Sequence, residues 1–241
     1  MPRITEASPR FKARMAGVFQ LLEALFAAFG FVIIPGKFFV AGNAAATAAN
    51  ILGNERLFWL AFTFSLVGVV CHIVWALLMY ELLKPVSRSL SLLAAFVILV
   101  GCAVQAVTSL LYLAPLLILK SGSSLSAFTP DQTQALALVF FKMSSSAFDL
   151  YLVFFGLWCV LIGYLIFRST FLPRVLGVLL TISGVGWMTY LSPPLASHVT
   201  LFIVAASAIG EIPLELWLIV MGVNSQRWKE QADVAPSGDA A

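Results

Sequence analysis

Six times between Met15 and Val223 the chain runs apolar for about 20 residues, the length a helix needs to cross a ~30 Å hydrocarbon core. Inside such a core each backbone N–H and C=O must be satisfied without water, and uniformly apolar runs can do so only as helices. The runs cover about 15–34, 57–83, 90–113, 147–167, 175–191 and 199–223. Breakers stand between them: Pro35-Gly36, Lys84-Pro85, Pro115, the basic turn Arg168–Arg174 and Pro193-Pro194. Charged residues make up only 10% of the chain and hydrophobic ones 61%, whereas a soluble domain carries about 25% charge. The expected fold is an all-α, six-transmembrane-helix bundle over 15–223, with a basic N-terminus at 1–14 and a polar tail at 224–241 that reads as disordered.

Local signals refine the boundaries. Ser8 before Pro9 reads as an N-cap with proline at the first helical position. The first run holds Gln20 and Glu23 and is too long for a signal-peptide core, so it is expected to be retained despite the alanines at 44–46. The small-residue stretch Gly42–Asn50 suggests a short interfacial helix, and Asn54 a cap for the second span. Thr129-Pro130-Asp131-Gln132 has the form of a capping box. From there no breaker appears before Pro173, which makes one helix too long for the core. Residues 132–142 are therefore expected outside it, with a bend at Ser144–Ser146.

An even number of spans puts both termini on one side. Arg3, Arg10, Lys12, Arg14, Lys84, Arg88, Arg168, Arg174, Arg227 and Lys229 share that side, against Lys37, Arg56, Lys120 and Lys142 opposite. The positive-inside rule then makes N-terminus and C-terminus cytoplasmic. Basic residues at span ends rather than in a patch argue against nucleic acid, in spite of the net charge of +3. Cys71, Cys102 and Cys159 lie in three different spans and read as small packing residues.

Polar residues inside the runs are the candidate site. Glu23, His72 and Glu211 fall near the centres of spans one, two and six, with Gln105 and Asp149 somewhat to the outer side. A carboxylate at mid-depth costs roughly 2.5 kcal/mol or more, so it should face protein. Glu215 follows Glu211 by one turn, and Pro213 between them removes the bond back to Ile209, which reads as a break in that helix. Gln20 and Glu215 form a secondary set. Small residues share the helical stripes with these groups: Ala16, Gln20, Glu23, Ala27 and Gly30 in span one, and Ser145, Asp149, Gly156 and Gly163 in span four. Two readings stay open, interhelical hydrogen bonding and a polar cavity for a proton, a cation or a small solute. No H-E-x-x-H, P-loop or G-x-S-x-G motif occurs, so no catalytic residue, metal ligand or cofactor is assigned.

Further stretches carry a resemblance: R-M-A-G at 14–17, G-N-A-A-A-T-A-A-N-I at 42–51, M-Y-E-L-L-K-P-V at 79–86, the run 154–169, L-P-R-V-L-G-V-L-L at 172–180 and I-G-E at 209–211. Together they resemble a bacterial multi-pass membrane family, domain-of-unknown-function family 4386. The resemblance implies a bacterial cytoplasmic (inner) membrane protein and carries no activity. Asn43 and His72 stand where that family commonly has Asp, and Trp158 where it has His, which weakens an enzyme assignment. The leading expectation is a non-catalytic membrane regulator or assembly factor embedded in the lipid bilayer. The alternatives are a small proton- or cation-coupled transporter and an intramembrane lipid-modifying enzyme.

Overall fold

A computed structural model describes residues 8–234, apart from the side chains at 123 and 124. Arg3 and the tail beyond Val234 lie outside the described residues, so expectations placed on them are not addressed by the fold. Every regular element among the described residues is helical: α1 Pro9–Ala27, α2 Ala44–Gly53, α3 Glu55–Leu83, α4 Arg88–Leu119, α5 Pro130–Arg168, α6 Arg174–Met188, α7 Pro193–Val220 and α8 Ser225–Val234. Six helical stretches are long and apolar enough to cross a membrane: Pro9–Lys37, α3, α4, α5, Arg174–Leu191 and α7. The chain is a multi-pass membrane protein.

Several helix ends form as their residues dictate. The Phe11 N–H donates to Ser8 Oγ at 3.2 Å, capping α1. Asn43 caps α2 by accepting from the Ala46 N–H at 2.9 Å. The capping box closes both ways, Thr129 N–H to Gln132 Oε1 at 2.9 Å and Gln132 N–H to Thr129 Oγ1 at 3.3 Å. Asn54 opens α3 with its carbonyl, which accepts from the Phe58 N–H, while its side chain reaches back to the Asn50 carbonyl.

Other ends differ from expectation. After Ala27 the first span widens into a π-helix over Ala28–Ile33 and then a 3-10 turn at Pro35–Lys37. Pro35 has no N–H to return to Phe31, and the Ile34 N–H bonds the Phe29 carbonyl five residues back, which loosens the last turn. α4 runs through Pro115 to Leu119 instead of stopping at 113. α5 is continuous for 39 residues, about 58 Å at 1.5 Å per residue. Ser144–Ser146 do not interrupt it; Ser144 Oγ donates to the Thr108 carbonyl at 3.3 Å, turning that serine toward a neighbouring helix.

Pro193 and Pro194 open α7, with Ser192 in an extended conformation at the N-cap. α7 is also unbroken at Pro213. It stops where Gly222 takes φ +67°, and the Gly222 N–H bonds the Trp217 carbonyl at 2.9 Å. The tail is not wholly irregular: Asn224 Oδ1 accepts from the Arg227 N–H at 3.1 Å and starts α8. α8 is then held by Trp228 Nε1 to the Leu82 carbonyl at 2.8 Å and by Gln231 Oε1, which accepts from both Thr170 N–H and Thr170 Oγ1.

The described chain divides into two compact units. Residues 8–21, 72–101 and 152–234 form the first, and Leu22–Cys71 with Cys102–Tyr151 the second. In the first, α5, α6 and α7 approach backbone to backbone. A Cβ at Gly163 would lie 2.6 Å from the Gly177 carbonyl oxygen, one at Gly184 2.6 Å from that of Gly156, and one at Gly210 2.6 Å from that of Leu179. The second unit packs through aromatic rings. Ile34, Phe38, Ile51, Phe58, Tyr112, Leu116 and Phe141 make its core, with Tyr112 stacked on Phe58 at 4.3 Å between centroids.

Candidate functional site

The expected polar residues divide between the units: Gln20, His72, Glu211 and Glu215 belong to the first, and Glu23, Gln105 and Asp149 to the second. Among the described residues, no three His, Cys, Asp or Glu side chains come together in a way that could hold a metal ion.

In the first unit Glu211 meets α6. Its Oε1 accepts from Ser183 Oγ at 2.6 Å and from Trp187 Nε1 at 2.8 Å. Ser183 and Trp187 are one turn apart, so both point from the same face of α6. Gly210, the residue before Glu211, lets the α7 backbone come close enough for those bonds. The two donors lower the cost of a half-buried acid by giving it partners that lipid could not. Neither was expected as a site residue, because α6 carries no charge through this stretch. The signal that could have found them is a Trp N–H in mid-span, which has to reach an acceptor.

His72 is fully buried in an aromatic nest. Its ring lies 5.0 Å from Trp75, 5.8 Å from Phe155 and 5.9 Å from Trp158, centroid to centroid. His72 and Trp158, both departures from the pattern of the resembled family, therefore pack against each other. Gln20 is buried with no hydrogen-bond partner at Oε1. Glu215 is buried, its backbone facing Gly17 of α1, where a Cβ would lie 3.0 Å from the Glu215 carbonyl oxygen.

A second charged group in this unit joins α1 to the end of α3. Lys12, only 7% exposed at its side chain, bonds Glu81 Oε2 at 3.0 Å, and Lys84 bonds Glu81 Oε1 at 3.0 Å. The Glu81–Lys84 pair is legible from their i, i+3 spacing. Lys12 is 69 residues away in the chain and is not.

In the second unit Glu23 and Gln105 are buried, and neither polar atom of the Gln105 amide has a hydrogen-bond partner. Nearby along α4, Ser109 Oγ donates to the Gln105 carbonyl and accepts from Ser65 Oγ at 2.8 Å, tying α4 to α3. Asp149 takes a different position. It is half-buried in a small, largely enclosed cavity of about 90 Å³, lined also by Phe31, Tyr112, Phe141, Ser144 and Phe148.

Comparison with known proteins adds a family and no activity. An uncharacterized protein of Archaeoglobus fulgidus is 28% identical over 165 residues, covering 66% of this chain and 84% of that protein. No solved structure matches. The model of a domain of unknown function, DUF4386, matches residues 15–222, and the chain belongs to that family.

Proposed function

We propose that this protein is a non-catalytic membrane regulator or assembly factor, resident in a bacterial cytoplasmic membrane with both termini on the cytoplasmic side. The observation that carries the reading is the use made of Glu211: its carboxylate serves as an acceptor for Ser183 and Trp187, joining α7 to α6. A group bound in that way is a strut between helices rather than a carrier that must release and rebind a proton. The excess of basic residues near Arg10–Arg14, Lys84, Arg88, Arg168, Arg174, Arg227 and Lys229 supports the orientation.

A small proton- or cation-coupled transporter is the second reading, favoured by Asp149, which lines a cavity instead of joining helices. Proteoliposomes holding a pH-sensitive dye distinguish the two. The regulator reading expects no protein-dependent proton flux, from the wild type or from Glu211→Gln. Protein-dependent flux in the wild type would overturn it, and loss of that flux in Asp149→Asn would favour the transporter reading.

A further inference from the structure

The cavity around Asp149 has the chemistry of a cation box. Phe31 and Phe148 stack at 4.9 Å between centroids with their planes 23° apart, and Tyr112 and Phe141 sit 5.8 Å apart at 55°. All four rings line the cavity, together with Pro35, Ser144, Ser145 and Asp149. Phe31 is held there by the π-helix Ala28–Ile33, a local widening of a kind that recurs at functional sites.

Two polar groups in this lining are unspent. Asp149 makes no ion pair or hydrogen bond within the described residues. The Tyr112 hydroxyl, on a side chain only 3% exposed, also has no partner. An apolar-walled acid inside a membrane span is costly unless something completes it. Lys142 cannot be assumed to do so, since it is exposed and lines the adjoining groove rather than this cavity.

We infer that the Asp149 cavity is a binding site for a small organic ammonium ion. The carboxylate supplies the counter-charge, and the aromatic lining suits a weakly hydrated cation better than a strongly hydrated one. A hard metal ion fits poorly, because magnesium and calcium require six or more oxygen ligands and the lining offers few. At about 90 Å³ the cavity has room for several waters or for an amine of a few heavy atoms. The adjoining groove shares Phe31, Pro35, Phe141 and Ser145 with it. This inference does not rest on the regulator reading: the ion would be a signal for a regulator and a cargo for a transporter.

The test uses the full-length, detergent-purified protein titrated with methylammonium chloride, with sodium and potassium chloride at matched ionic strength. The readouts are melting temperature and isothermal titration calorimetry. The expected result is saturable binding of methylammonium that neither metal ion reproduces. Asp149→Asn, nearly isosteric, should weaken it at least tenfold, and Phe148→Leu, which leaves the charge in place, severalfold. Equal stabilisation by sodium, absence of saturable binding, or undiminished binding by Asp149→Asn would each overturn the assignment. Should Asp149→Asn not fold, Phe148→Leu decides in its place, and full affinity there would be equally fatal.

Discussion

Glu211 and Asp149 are both acids in mid-helix on long apolar spans, yet the structure treats them in opposite ways. Glu211 lies where α7 touches α6 through Gly210, and two donors from α6 converge on one of its oxygens. Asp149 lies where four aromatic rings hold neighbouring elements apart and leave a cavity. The contrast teaches that a membrane acid is defined less by its depth than by the size of the residues around it. Small residues bring backbones and donors to the carboxylate and make it glue. Rings keep them away and leave it exposed to whatever can enter.

The largest effect should come from breaking the close packing itself. Gly163→Leu would drive a side chain into the Gly177 carbonyl and the Thr181 backbone, neither of which can rotate aside. A loss of roughly 3 kcal/mol or more is expected, seen as aggregated or absent protein in fluorescence-detected size exclusion. Gly36→Leu is the control, because nothing lies within 4 Å of a Cβ there, and it should behave as wild type.

Next comes the ion pair near the end of α3. Removing the carboxylate in Glu81→Ala leaves the Lys12 ammonium buried without its bonded oxygen, at a cost of roughly 3 kcal/mol. Lys84→Ala should cost under about 1 kcal/mol, since Lys84 is 40% exposed. Urea-induced or thermal unfolding of the two variants in one detergent gives the ratio. Equal losses would mean that Lys12 is not held as described.

Much of the fold is legible before any coordinates are drawn. Run length and hydropathy suffice for six spans, and Ser8-Pro9 and the Thr129–Gln132 box mark helix starts that form as written. Proline is where the reading fails. Pro193-Pro194 between two apolar runs suits the end of one helix and the first turn of the next equally well, and only the conformation of Ser192 decides. Pro115 sits four residues before the end of α4, where a missing bond is easily tolerated in a packed helix. α8 is polar enough to suggest disorder, but its Asn224 cap and Trp228 give it a start and an anchor.

For the site, polarity and depth are visible in the sequence and partners are not. Nothing along the chain relates Glu211 to Ser183, 28 residues earlier, or tells Asp149 that Tyr112 and Phe31 will be beside it. Partner choice is decided by which helix faces meet, and small-residue stripes indicate which faces are sticky without naming the neighbour.

The most direct measurement is the melting temperature of Glu211→Ala against that of Asp149→Ala, in the same detergent and without added amine. If Glu211 joins helices, its loss strands the Ser183 hydroxyl and Trp187 N–H and should cost about 1–3 kcal/mol. If Asp149 is kept for a ligand, its removal relieves an unpaired acid, and the melting temperature should hold or rise. Equal losses in the two variants, or a greater loss at Asp149, would contradict the distinction between them.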